Sequence, residues 1–516
     1  MRTTGTQVIG ETINKIADCV TKTMGAKGRL AVINDEFSRP LLTDDGVTVA
    51  RQFMHLDDPF EKMIALSMCE AASNTERYAF DGTTLTILLI KELYNEGLHM
   101  IKKHKWDPQL TAECMQANVD NVRKYLRKRT IKLDAEKAEQ LAIVTTKIPA
   151  IGSLVKQAYK LVGDSMNVLI EHDRKLSEHT VEFTSGMVMD HGFFTNEMQQ
   201  LCNDETHTKT VFKDARLVLL SEGILSQRDV TNFFRSIPAE CVKDPYVFFI
   251  TKAFNPESLK ILLDQLVSNH FTFQFVFVNE ANPEELFVDL AARTNGHIQS
   301  AAEGTSEYLF DHCGFAHEIT IEQDKTTILA TADQARVDQR IAAYKKELED
   351  NKYSTSITRH DTITRRLANL SSGVTKIKLA CDTSTEYMTI KLKLDDAIGA
   401  VKCAAKEGLV YGGGKALWNL SHGPIEGQAL HDVLRAPLIT ICENAGIKLN
   451  KMTIKVLDET DAMGIDVNTG GITDLRERGL YDSFSAIDRA LANAVSIAAS
   501  YIKAYVMINT VAPKQA

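Results

Sequence analysis

The sequence predicts a multi-domain protein in which two mainly α-helical regions flank a mixed α/β region. The chain has 516 residues, more than one hydrophobic core usually supports. Apolar residues recur at helical spacing through most of residues 8 to 180 and again from 395 onward. Between about 186 and 360, short apolar runs rich in Val, Ile and Phe alternate with helical patterns, the rhythm of a sheet built from strand–helix units.

Composition narrows the function. With 44% hydrophobic and 25% charged residues, the chain reads as an ordinary globular protein. Its net charge of −9, from 59 basic and 68 acidic side chains, runs against nucleic-acid binding as the main activity. Nine cysteines include no C-x-x-C pair and no cysteine–histidine cluster at zinc spacing, as expected of reduced thiols in a cytoplasmic protein. No apolar run approaches the ~20 residues of a membrane helix, and no signal-type apolar segment follows Met1. Neither a nucleic acid nor a membrane is an expected partner.

Taken in order, Val8, Ile9, Ile13, Ile16, Val20 and Met24 mark a helix that stops at the glycine turn Gly25-Ala26-Lys27-Gly28. A short strand, Leu30 to Ile33, follows. Asp45-Gly46 reads as a tight turn entering a short alternating segment, Val47 to Arg51. Asp58 then caps a helix with Pro59 at its first position, and Phe60, Met63, Ile64, Met68, Ala71 and Ala72 form its expected buried stripe. The next helix carries Leu85, Leu88, Leu89, Leu93, Leu98 and Ile101, and closes on Lys102, Lys103 and Lys105, the end its dipole favours.

Between these helices lies Asp81-Gly82-Thr83-Thr84. A glycine and two hydroxyls at a helix start offer free N–H groups and the positive end of a dipole, which suits phosphate. Asp81 adds a hard oxygen of the kind that holds Mg²⁺ beside phosphate. An aspartate cap followed by helix-compatible threonines accounts for the same four residues, so this stretch alone leaves both readings open.

Residues 106 to 180 continue mostly helical, with a strand at Val168 to Ile170. Strands are expected at Leu217 to Leu220, Tyr246 to Ile250 and Phe273 to Val278, and helices near Ser226 to Ile237, Pro256 to Val267 and Pro283 to Arg293, in a mainly parallel sheet. No G-x-G-x-x-G follows these strands, so no dinucleotide site is read. Phe271, Phe273, Phe275 and Phe277 alternate as one core face. A charged helical stretch runs from about 335 to 370 with a polar break at Asn351 to Ser354. Strands are expected at Val374 to Leu379 and Tyr387 to Leu392, then a helix from Asp395. Gly412, Gly413 and Gly414 are three consecutive glycines, costly in backbone entropy unless something approaches that backbone closely. The remainder is largely helical, with a turn at Asp466 to Asn468 and a last apolar helix to about Met507.

Six stretches, in this order, resemble a group I chaperonin of the GroEL type: Gly25 to Arg29, Asp45 to Arg51, Asp81 to Thr84, Asp395 to Ala397, Glu407 to Gly414 and Ala436 to Leu438. The resemblance runs across nearly the whole chain. It implies three domains: an equatorial ATPase domain (1–128 and 407–516), a small α/β intermediate hinge (129–185 and 374–406) and an α/β apical domain (186–373). It implies ATP and Mg²⁺ as ligands, with K⁺ as a candidate further cation. Thr23, Met24, Gly25 and Ala26, with Gly46, Gly82, Thr83 and Thr84, would surround the phosphates. Asp81 would hold Mg²⁺, and Asp45 and Asp396 would position the attacking water. Gly413, Asp466 and Asp482 would meet the base and ribose.

In the apical domain the resemblance points to Phe193, Met198, Phe233, Phe234, Leu259, Leu262 and Leu263 as contacts for non-native clients and a lid co-chaperonin, with Glu197, Thr231 and Asp264 making that surface more polar than the family norm. The sequence departs from the family at Phe80, where a glycine is usual, at Ala26 for proline and at Asp44 for lysine. The shorter N-terminus and the missing Gly-Gly-Met tail leave ring size and one or two rings open. Divergence of this kind suits a virus-encoded relative working in a host cytoplasm. The implied function is an ATP-driven folding machine assembled as a ring of identical subunits. A non-catalytic scaffold and a small-molecule phosphotransferase are the alternatives.

Overall fold

The structure is a computed structural model that describes residues 5–33, 41–43, 45–174, 176–193, 209–221, 237–251, 272–280, 282–299, 310–331, 333–350, 357–371, 373–421 and 430–504. The chain forms two compact units. The first comprises residues 1–159 and 383–516, the second residues 160–382, so the chain leaves the first unit once and returns to it.

The first unit is built on long helices. Helix Phe484–Lys503 packs against Thr83–His104, Pro108–Arg127 and Pro59–Ala79, and Gly5–Val20 completes the bundle. Ala486, Ala490, Ala494 and Ala498 recur every four residues along Phe484–Lys503, so one stripe of that helix is flat enough for close packing, while Phe484, Ile487, Leu491 and Val495 fill the gaps beside it. Arg123 clamps this arrangement: its Nε and Nη2 donate to the two oxygens of buried Asp488 at 2.8 and 2.9 Å, a bidentate charge-assisted pair. The caps form as read, with Asp58 Oδ1 accepting from Phe60 N at 2.8 Å and Pro59 following. Met63, expected in the buried stripe, is 41% exposed, whereas Ile64, Met68, Ala71 and Ala72 are buried.

Two local expectations change. Residues 46–52 form a helix, and the expected alternating segment after a tight turn is absent: Asp45 is its N-cap, accepting from Thr48 N at 2.8 Å, and Val47, Val49 and Ala50 point into the core. Tyr387 to Leu392, expected as a strand, belong to helix Ser384–Glu407, where Thr383 Oγ1 accepts from Glu386 N at 3.1 Å and Tyr387, Leu394, Ala397 and Val401 are buried at helical spacing.

In the second unit, a seven-stranded sheet runs in the order Gly186–Met189, Thr326–Leu329, Gly314–Ile321, Thr210–Leu220, Tyr246–Ile250, Phe273–Phe277, with Ile298–Gln299 also paired to Thr210–Leu220. The sheet is mixed where a mainly parallel one was expected. Strand Thr210–Leu220 is long enough to serve both halves: its last five residues pair parallel with Tyr246–Ile250, and Thr210 to Leu217 pair antiparallel with Gly314–Ile321. Phe273 and Phe275 are buried as one face, but Gln274 and Val276 on the opposite face are buried too, because both faces of this strand are covered. The second unit also holds a three-stranded sheet in which Val374–Leu379 lies between Val168–His172 and Thr180–Thr184.

Candidate nucleotide site

The site is assembled in the first unit where helix Pro59–Ala79 gives way to helix Thr83–His104. Phe80 ends the first helix in the left-handed conformation (φ 57°), with its N–H on Glu76 O at 2.8 Å. Asp81 Oδ1 accepts from Gly82 N at 2.6 Å. Gly82 must be glycine: its φ is +88°, and a β-carbon there would lie 3.0 Å from Ala486 O and 3.2 Å from Thr75 Cγ2. As Gly82 has no side chain to cap the helix, the first N–H groups of Thr83–His104 are left for an outside acceptor, the arrangement that receives phosphate. Thr86 Oγ1 fixes the turn from behind, bonding Gly82 O and Thr75 Oγ1 at 2.9 Å each.

Asp45 is brought to this turn by close packing. A β-carbon on Gly46 would overlap Thr84 Oγ1 and approach Thr84 Cα and N to 3.2 Å. The start of helix Gly46–Gln52 therefore sits directly on the start of Thr83–His104. Two helix N-termini and the Asp45 carboxylate share one small volume.

Asp396, on helix Ser384–Glu407, meets the same group of charges from another side. Although Asp396 is still open to solvent, its carboxyl is pushed up to about 7, first by partial loss of hydration and then by the neighbouring carboxylates Glu76, Asp395, Asp81 and Asp45. Asp81 is also pushed up from the ordinary carboxylate range by burial, against the pull of the Gly82 N–H and the Lys147 ammonium. Asp482, on strand Tyr481–Ser483 beside Leu409–Tyr411, is raised to about 7 by burial and by Asp81, with the Gly413 N–H opposing. Asp45, Asp81, Asp396 and Asp482, chosen from sequence, thus gather at one place.

The glycine run divides by role. Gly414 is demanded by the chain itself, since a β-carbon there would lie 2.5 Å from Leu438 N. A β-carbon on Gly412 would lie 3.0 Å from Asp482 Oδ1. Gly413 has φ +64° and open space on its β-carbon side, which leaves room for a ligand next to Asp482. The Thr23-to-Ala26 turn follows helix Gly5–Val20. Thr23 Oγ1 donates to Val20 O at 2.9 Å, Met24 is extended, and Gly25 is left-handed (φ +84°) against Ile441. Asp466 is engaged by its own hairpin, with Oδ1 accepting from Asn468 N at 2.9 Å and Arg478 paired to Oδ2.

Sequence reasoning missed three residues here. Glu76 is raised by burial and then by Asp45, with Arg51 opposing. Its signal was available: a carboxylate in the last turn of a helix stands at the end the dipole disfavours. Lys147, left-handed at φ 61° after helix Ala135–Thr146, is the cation acting on Asp81, and nothing in its local sequence marks it. Asn444 Nδ2 holds the Thr23 turn through Thr21 O at 2.8 Å and Met24 O at 3.0 Å.

Among the described residues, no three His, Cys, Asp or Glu side chains converge as a preformed metal site. The donor set suits a cation shared with phosphate: one hard carboxylate, Asp81, beside an uncapped helix start. Of the expected client contacts, Phe193 is half-buried against the sheet core and bridges Val276. Met198, Phe233, Phe234, Leu259, Leu262 and Leu263 lie outside the described residues, as does Asp44. No helix among the described residues is long and apolar enough to cross a membrane.

A chain that goes out and returns, a helical unit with carboxylates gathered at helix starts, and an α/β unit inserted within it define a chaperonin. The model of the TCP-1/cpn60 chaperonin family matches residues 16–240 and 244–511, and the chain belongs to that family. It is a divergent member. Its fold is shared with the chaperonin gp146 from bacteriophage EL 2 (Pseudomonas aeruginosa), crystallised in the presence of ATP-BeFx. Crystal form II matches with a TM-score of 0.71 and 18% identity over 97% of both chains. Crystal form I matches with 0.69 and 17% over 98% of both.

Proposed function

We propose that this chaperonin hydrolyses ATP and uses the cycle to bind and release non-native proteins, assisting their folding within a ring of identical subunits. The observation that carries the reading is the meeting of Asp45, Asp81 and Asp396 at an uncapped helix start. The N–H groups of Thr83 and Thr84, with the Thr23-to-Ala26 turn and Gly46, hold the phosphate chain, and Gly413 and Asp482 receive the sugar and base. Asp466 stays a proposed contact on that side, although its carboxylate also serves its hairpin. Mg²⁺, when bound at Asp81 with the phosphates, supplies positive charge to the transferring group. Asp396 accepts a hydrogen bond from the attacking water, Asp45 orients the same water, and Lys147 offsets part of the negative charge around Asp81. No covalent intermediate is needed, because positioning and charge neutralisation carry phosphoryl transfer to water.

Asp396 stands in the segment assigned to the intermediate hinge in the three-domain division proposed above, so hydrolysis would report the position of that hinge. Phe193 and the apolar positions 198, 233, 234, 259, 262 and 263 are the proposed client surface, with a lid co-chaperonin as a further partner and the cytoplasm as the setting. The alternative, a non-catalytic scaffold, is favoured by one observation: Phe80 at the phosphate turn where the family has glycine.

Asp396→Ala separates the two. The variant should bind ATP within about twofold of wild type while single-turnover hydrolysis falls at least ~10²-fold. Unchanged hydrolysis, or client refolding that does not need it, sinks the folding cycle. Light scattering of the purified chain with and without Mg-ATP tests the ring, and a monomer under both conditions sinks the chamber.

A further inference from the structure

Phe80 and Gly399 are each unfavourable choices for their backbone, and the two fit one another. Phe80 is a bulky residue in the left-handed region and is 39% exposed, so it is not there to fill the core. Gly399 lies inside helix Ser384–Glu407, where alanine would serve the helix better. A β-carbon on Gly399 would overlap Phe80 Cγ and Cδ1 and fall 2.6 Å from Cδ2. These atoms are the root of the ring, so relieving the overlap takes a different χ1 rotamer, which lifts the ring out of the notch, or a shift of the backbone. The Phe80 ring therefore sits in the notch that Gly399 leaves.

Gly399 follows Asp396 by three residues, so the notch and the carboxylate share a helix face. Cys403, four residues further along that face, reaches Tyr78 O with its Sγ at 3.3 Å. Two contacts thus register this helix against the end of Pro59–Ala79, the segment that leads directly into Asp81.

We propose that Phe80 is a positioning residue: its ring, seated in the Gly399 notch, fixes how far Asp396 reaches over the phosphate turn. This rests on the ATPase reading above. A glycine at position 80 would suit the left-handed turn and leave the notch empty, so the two positions act as a matched pair.

The test uses the full-length wild type and four variants, Phe80→Gly, Phe80→Tyr, Gly399→Ala and Phe80→Gly/Gly399→Ala, each measured for Mg-ATP affinity and for single-turnover hydrolysis. Phe80→Gly is expected to fold, since glycine prefers that turn, to bind Mg-ATP within about twofold, and to hydrolyse it roughly tenfold more slowly, the scale of a modest misplacement. Phe80→Tyr keeps the ring and should retain the wild-type rate. Gly399→Ala should slow hydrolysis at least as much, and the double variant should be several-fold faster than Gly399→Ala, because removing the ring relieves the overlap. A merely structural contact would lower melting temperature and leave the rate constant per folded site unchanged. Full-rate hydrolysis by Phe80→Gly, or a double variant no faster than Gly399→Ala, overturns the pairing. If Gly399→Ala does not fold, the Phe80→Gly and Phe80→Tyr rates decide. A wild type that neither binds nor hydrolyses ATP overturns the ATPase reading and the positioning role together, whereas a hydrolysing wild type with a full-rate Phe80→Gly variant overturns the positioning role alone.

Discussion

ATP hydrolysis by this chaperonin should depend on pH through the middle of the neutral range. In the proposed mechanism Asp396 takes up the water's proton only when ionised, and partial loss of hydration together with Glu76, Asp395, Asp81 and Asp45 raises its carboxyl to about 7. One pH unit below that midpoint only about a tenth of the groups are ionised, so kcat/KM should fall roughly tenfold per unit on the acid side and level off above about pH 8. Asp482, raised to about 7 as well, would steepen the acid limb, and Asp482→Asn removes that contribution. Glu76→Gln takes away the largest charge acting on Asp396 and should move the midpoint to lower pH. Phosphate release followed from pH 5.5 to 8.5, in the range of about 1.5 units on either side of neutrality, measures all three proteins. The sign for stability runs the other way. Because the folded pKa lies above the unfolded value of about 3.8, the native state holds a proton through this window, and stability from this group is lost as pH rises toward about 7. Asp396→Asn should therefore raise the melting temperature more above neutrality than at pH about 5. A flat wild-type rate profile, or an acid limb in Asp396→Asn as steep as that of wild type, refutes the reasoning.

Two further substitutions test the geometry. Gly46→Ala drives a methyl group into Thr84, separating the two helix starts, and should reduce hydrolysis by about 10²-fold and lower the melting temperature as well, since such overpacking costs about 1–3 kcal/mol, measured by single turnover and calorimetry. Arg123→Ala leaves the 7%-exposed Asp488 without its bidentate partner and should lower stability by about 3 kcal/mol, read from the urea midpoint, with less than additive loss in Arg123→Ala/Asp488→Ala.

The turn at Asp81 to Thr84 was legible because the signals that form it are local. Asp81 to Thr84 lie between two strongly periodic helices, and cap and glycine signals fix their ends. Residues 47–51 misled because Val-Thr-Val after Asp-Gly imitates a hairpin arm, while the deciding bonds are those of the Asp45 cap. Tyr387 to Leu392 misled similarly: apolar and polar residues alternate there, yet the Thr383 cap and the burial of Tyr387, Leu394 and Ala397 belong to a helix. The antiparallel half of the large sheet depends on which edge of Thr210–Leu220 receives Gly314–Ile321, a choice made about a hundred residues away in sequence and not written in either strand. Lys147 acts on Asp81 only through the tertiary fold and no motif marks it, whereas Glu76 is marked only by its unfavourable place in the last turn of its helix.

The insertion of one unit within the other has a consequence for how the protein is made. Helix Phe484–Lys503, with twelve buried residues, supplies the surface that Pro59–Ala79, Thr83–His104 and Pro108–Arg127 bury. On a ribosome adding about 5–20 residues per second, those helices wait on the order of a minute for their partner, while the inserted unit has all of its own strands and can fold first. The nascent helical half of this chaperonin thus exposes apolar faces during synthesis, and becomes for that interval an unfinished chain of the kind we propose it receives.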